Sequence, residues 1–79
     1  ILKAFIFPNP STGKFTLSIS EAYQNATIMV YDMIGNVVDV RTVSGLNTIS
    51  LDYTSLPKGG YLLQFNTEKG NYSSRIIFE

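Results

Sequence analysis

Six carboxylates, Glu21, Asp32, Asp39, Asp52, Glu68 and Glu79, carry most of the acid–base chemistry open to this chain. There is no histidine and no cysteine, which excludes catalysis by imidazole or thiolate. A two-carboxylate hydrolytic site needs both acids to converge on one bond. Here the acids are scattered over turns and strand ends, and no pair stands at an informative spacing. The expectation is solvated loop carboxylates, since charged side chains stay outside unless paired. Serine and threonine are plentiful, but none lies in a Gly-x-Ser-x-Gly elbow. Asp32, Asn36 and Asp39 could offer oxygen to calcium, which takes about six to eight such ligands. Their spacing matches no calcium loop, and turn formation accounts for Asp32 and Asn36 equally well. Asn25-Ala26-Thr27 and Asn71-Tyr72-Ser73 fit the short acceptor pattern for N-glycosylation, which recurs often by chance. The reading is a non-enzyme with no catalytic residue, metal or cofactor.

Five tyrosines and five phenylalanines raise a different chemistry. Flat rings stack on sugar faces, and Tyr23, Tyr31, Tyr53 and Tyr72 are the tyrosines expected to be exposed. The competing reading is that they cover sheet surface, where aromatics are favoured anyway. The absence of tryptophan weakens a sugar platform. Tyr61 has a structural reading together with Leu56 and Pro57. A tyrosine near a strand start in a sandwich can return its hydroxyl to the backbone just upstream and pin the loop.

The elements that must position these residues are strands. The chain has 79 residues, enough for one domain, and it is 44% hydrophobic and 15% charged. That composition is too apolar for a disordered tail. Six basic and six acidic residues give a net charge of +0, so neither a nucleic-acid partner nor a charged membrane surface is expected. No apolar run approaches the roughly 20 residues of a spanning helix.

Short alternating runs separated by Gly, Pro, Asn and Ser clusters read as strands throughout. The first covers residues 2–7, with Leu2, Ala4 and Ile6 on one face. It stops at Pro8-Asn9-Pro10-Ser11-Thr12-Gly13, where the prolines remove ladder donors and Gly13 can take a positive φ. Residues 14–20 alternate Phe15, Leu17 and Ile19 against Thr16, Ser18 and Ser20, a strand with one wet face. Residues 26–31 follow, with Ile28 and Val30 on one face. Residues 32–36 form a hairpin loop with Gly35 at its left-handed position. In the fourth run, 37–43, Val38 and Val40 are expected inward. Residues 46–51 place Ile49 and Leu51 inward, and Leu56 anchors the next loop. Lys58-Gly59-Gly60 leads into 61–66, where Tyr61, Leu63 and Phe65 share a face. A loop at 67–71 precedes the last run, 72–78, in which Ser74, Ile76 and Phe78 alternate with Arg75 and Ile77. Connections this short exclude a parallel sheet built on crossover helices. The predicted fold is all-β, an immunoglobulin-like antiparallel β-sandwich of about seven strands.

Four blocks in order resemble one family. Pro8-Asn9-Pro10-Ser11-Thr12-Gly13-Lys14-Phe15 looks like the opening of the C-terminal sorting domains of the type IX secretion system, known from Bacteroidetes. Val30-Tyr31-Asp32-Met33-Ile34-Gly35-Asn36-Val37-Val38 resembles that family's central hairpin. Gly45-Leu46-Asn47-Thr48-Ile49-Ser50-Leu51, followed by Leu56-Pro57-Lys58-Gly59-Gly60-Tyr61, resembles its third block. Ser74-Arg75-Ile76-Ile77-Phe78 stands where the family has its terminal basic-then-apolar strand. The single basic residue there and the final Glu79 depart from the lysine more usual at that end.

The resemblance implies a label rather than a catalyst. Residues 1–79 would be the sorting domain of a larger exported protein. It would pass the periplasm and be carried over the outer membrane of a Gram-negative bacterium by a dedicated translocon, to be displayed or secreted. A sortase-like surface protease would cut before the domain. The family's motif positions fall here on Pro8, Asn9, Pro10, Gly13, Gly35, Gly59, Tyr61, Arg75, Ile76, Ile77 and Phe78. The last strand is expected at a sheet edge, where unpaired backbone groups can add to a receptor sheet. The alternatives carried are a carbohydrate-binding or adhesive module of a secreted enzyme, and a weak homodimer through edge strands.

Overall fold

A computed structural model describes residues 3–79. Leu2, expected on the inner face of the first strand, lies outside the described residues. Seven strands run in order: β1 (Ala4–Phe7), β2 (Lys14–Ile19), β3 (Asn25–Asp32), β4 (Val37–Ser44), β5 (Thr48–Asp52), β6 (Gly59–Thr67) and β7 (Gly70–Phe78). They form a three-stranded sheet, β1-β2-β5, and a four-stranded sheet, β4-β3-β6-β7. All strand pairs are antiparallel. The outcome is the immunoglobulin-like sandwich that the alternation predicts, with every strand's bounds within two residues of those expected. The second hairpin is tighter than predicted: Thr67 pairs with Gly70, so only Glu68 and Lys69 turn the chain.

The period-two pattern explains the core. Phe15, Leu17 and Ile19 from β2 face Ile28 and Val30 from β3, and Leu63 and Phe65 from β6. Ile49 and Leu51 from β5 and Ile76 and Phe78 from β7 complete the same buried cluster. Leu17, Ile28, Val30, Leu63 and Phe65 are wholly buried. Each such side chain contributes on the order of 1.5–3 kcal/mol relative to exposure. Truncating one in the middle of the stack would also leave a cavity.

β4 departs from its expected alternation. Val40 is exposed and Val38 only half-buried. The register between β3 and β4 shifts at Val30/Tyr31: Val30 pairs with Asp39, but Tyr31 pairs with Val37. Val38 is the extra residue of a β-bulge, and one extra residue sends every later side chain to the opposite face. Asp39, Arg41 and Val43 therefore stand on the inner face, opposite Val30, Ile28 and Ala26.

Two of the four tyrosines expected at the surface are buried instead. Tyr23 donates its hydroxyl hydrogen to Leu46 O at 2.6 Å and accepts from Leu46 N–H at 3.1 Å. This bracket holds the β4–β5 turn, so Leu46 lies outside β5. Its ring stands edge-on to Phe65, with centroids 5.3 Å apart. Tyr53 lies between the sheets and donates to Asp39 Oδ2 at 2.6 Å. Tyr61 does what its position suggests: its hydroxyl donates to Pro57 O at 2.6 Å, the tyrosine corner of sandwich domains.

Candidate functional site

The loops at one end of the sandwich bring parts of the sequence blocks together. β1 ends there and β2 begins, β3 ends and β4 begins, β5 ends and β6 begins, and β7 finishes. Residues 8–13, 33–36 and 53–58 and the last residues of the chain thus share one end.

Phe78 organises its interior. Its ring lies 4.8 Å from that of Tyr61, 6.0 Å from Phe15 and 6.2 Å from Tyr53 between centroids. Such aromatic contacts contribute about 0.5–1.5 kcal/mol beyond area burial. Gly13 closes the loop over this cluster. It has φ 114° and accepts from Tyr53 N–H at 2.8 Å. A Cβ there would stand 3.0 Å from the backbone of Tyr53 and Thr54, so both conformation and space require glycine.

The segment before Gly13 meets β7. Asn9 Nδ2 donates to Arg75 O at 2.9 Å, and Ile77 N–H donates to Asn9 Oδ1 at 3.1 Å. Ser11 N–H donates to Ile77 O at 2.9 Å, and Glu79 N–H to Ser11 O at 2.7 Å. Ser11 and Phe78 form a parallel bridge, the one place among the described residues where the antiparallel rule is broken. β7 is an edge strand, as expected, but its C-terminal half is already partnered from within the chain.

The candidate residues divide by side chain. Ile76 and Phe78 are core. Tyr61 is buried and pins its corner. Gly35 and Gly59 have φ 96° and 140° at the turns into β4 and β6. Pro8, Asn9, Pro10, Arg75 and Ile77 face solvent. Sequence reasoning did not single out the exposed apolar side chains at this end: Phe7 on the three-stranded sheet, and Met33, Ile34, Val37 and Ile77 on the side of the four-stranded sheet. Ile34 is 84% exposed. Met33 lies over Gly60, its sulfur 3.0 Å from where a Cβ would sit, and Gly60 pairs with Ile77. The signal was present in Met33-Ile34, two large apolar residues inside a hairpin loop, where polar residues are the rule.

The carboxylates do structural work. Asp32 Oδ1 accepts from the N–H groups of Ile34 and Asn36, and Oδ2 from Asn36 Nδ2. Of the two readings open for Asp32, calcium ligand or turn former, the turn is the one its hydrogen bonds serve. Asp39 receives Tyr53 and lies 3.4 Å from Arg41. Burial raises the Tyr53 phenol above its ordinary 10.0, and the Asp39 hydrogen bond raises it further. At the other end, Glu68 accepts from the N–H groups of Gln24 and Asn25, and the first of these bonds leads in holding its carboxyl below the ordinary value.

A model of the secretion system C-terminal sorting domain family matches residues 5–79. The chain belongs to that family. It is a sorting domain of the type IX secretion system, a signal for export to the cell surface or beyond by Gram-negative bacteria. The family is one of sorting signals, not of catalysts. No curated protein matches the chain. Residues 8–13, 33–36 and 56–61 and the last strand's end, dispersed in sequence, thus meet at one end of the sandwich, whereas Gly45-Leu46-Asn47 turn the chain at the other.

Proposed function

We propose that the export machinery reads this sorting domain at the end where residues 8–13, 33–36 and the C-terminal half of β7 meet. One observation supports the reading above the others: residues 8–13, 33–36 and the end of β7, where the motif positions implied by the resemblance fall, share that end with exposed apolar side chains. Apolar patches on a soluble domain mark interaction surfaces. Rigid turns add to this by presenting the surface with little ordering cost. Arg75 and Ile77 carry the outward chemistry of the last strand, whereas Ile76 and Phe78 hold the core. The sorting domain crosses the periplasm folded, is bound by the translocon, and is removed by a sortase-like surface protease that cuts ahead of it.

Fusing the 79 residues to a fluorescent reporter in a type IX-secreting host tests this reading. Arg75→Glu and Ile77→Asp alter only outward side chains. The expected result is a thermal midpoint within about 5 °C of the parent and surface display reduced at least tenfold. Normal display of both folded variants contradicts it.

A further inference from the structure

The edge of β7 is divided into two halves with different backbone chemistry. In its pairing with β6, alternate residues of β7 turn their N–H and C=O groups away from the sheet. Asn71, Ser73, Arg75 and Ile77 are these residues, because the outer groups of Ile77 meet Asn9 and Ser11. Along the C-terminal half, Arg75 C=O, Ile77 N–H, Ile77 C=O and Glu79 N–H are all satisfied. The Asn9 carboxamide supplies one donor and one acceptor where a neighbouring strand would supply a peptide group. Pro10 has no N–H to offer, and Ser11 resumes pairing through its own backbone. Residues 9–11 thus act as a short parallel strand assembled partly from a side chain.

Along the N-terminal half nothing comparable is present. Ser73 N–H, Ser73 C=O and Arg75 N–H have no partner among the described residues, and Asn71, Ser73 and Arg75 are exposed. Arg75 also makes no ion pair among those residues, where Arg41–Asp39 is the sole one.

We propose that this open half is a docking strand for an extended segment of a partner protein in the export machinery, and that Asn9 and Ser11 block the rest of the edge and fix the register of docking. The proposal rests on the reading that the machinery contacts the C-terminal end of β7, from which the open half continues the same edge toward the β6–β7 hairpin. A row of backbone donors and acceptors is complemented by another backbone, the β-augmentation mode. The unpaired guanidinium beside it calls for a carboxylate on the incoming segment. The docked segment is short, because the Asn9 carboxamide bars pairing past the Arg75 N–H.

Ser73→Pro in the reporter fusion tests the backbone requirement. It removes an N–H that points away from the sheet, a position where edge strands tolerate proline. Ser73→Ala is the control. The expected result is a midpoint within about 5 °C of the parent, surface display reduced at least tenfold for proline, and normal display for alanine. Normal display of folded Ser73→Pro overturns the proposal. A second measurement is independent of how proline folds. Ser73→Cys, exposed on this edge, should crosslink to a component of the export machinery during export, while Ser50→Cys on the other sheet should not. An adduct of two copies of the sorting domain, or none, contradicts the proposed partner. If Arg75→Glu and Ile77→Asp lose display while Ser73→Pro keeps it, side chains are read and backbone docking fails alone. If all three are displayed, the reading beneath it fails as well.

Discussion

The four-stranded sheet ends in β4 on one side and β7 on the other, and the two edges are protected by different chemistry. At β4, a bulge at Val38 turns Asp39 and Arg41 inward, where Asp39 takes the Tyr53 hydroxyl and the Arg41 guanidinium lies over the Tyr53 ring at 5.5 Å. Inward charges and bulges make an edge a poor template for another strand. At β7, the edge is filled for half its length by hydrogen bonds from Asn9 and Ser11, and left open for the other half. One edge discourages pairing through side chains, whereas the other supplies a partner of its own and stops. An edge that must remain partly usable is better limited by a strand mimic than by charge, because the mimic leaves the uncovered groups intact.

Substitutions at the two edges sharpen this contrast. Tyr53→Phe should have the larger effect, because it removes a hydrogen bond to a charged group between the sheets. Bonds of that kind are worth about 1.5–3 kcal/mol, and water reaching Asp39 favours the lower part of that range. Denaturant unfolding should show it as a lower midpoint with an unchanged slope. Asn9→Ala should lose about 0.5–1.5 kcal/mol, since its two bonds lie at the exposed rim. The accompanying change should be local, with faster amide exchange at Ile77 and little change in the core strands. An Asn9→Ala variant as unstable as a core truncation would mean that the latch is part of the fold rather than a cover for it.

The smallest effect concerns pH. Tyr53 and Tyr23 titrate above their ordinary 10.0 in the folded state, burial being the leading cause for both. Above about pH 10 the unfolded chain releases phenolic protons that the folded chain still holds. The folded state then binds more protons, so stability falls as pH rises through that window and is fully present below it. Alkaline unfolding curves should show this loss, and Tyr53→Phe should flatten it. An equally steep loss in that variant would remove Tyr53 as its source.

The fold was legible where local pattern and tertiary role agree. β2, β3 and β6 alternate cleanly because one face of each is buried along its length. Gly13 and Gly35 mark turns whose positive φ only glycine accepts readily. The Tyr61 corner could be read from Leu56-Pro57 and the tyrosine four residues beyond, since its bond is local. What depended on distant partners was hidden. Val38 and Val40 look inward until the bulge is known, and the bulge is a property of pairing with β3. Tyr53 and Tyr23 stand in loop-like stretches, and only packing between the sheets buries them. Asn9 lies 66 and 68 residues from its partners, so the family block around it announces a rigid turn and gives no hint of the strand it covers. The site was legible as a set of blocks, and the meeting of residues 8–13, 33–36 and 56–61 and the end of β7 emerges only from topology.

Residue-resolved hydrogen exchange along β7 tests the division of its edge most directly. Protection of Ile77 and Glu79 amides, with Ser73 and Arg75 exchanging at least tenfold faster, is the predicted result. Equal protection along the strand, or fast exchange at Ile77 in the unaltered domain, would contradict it.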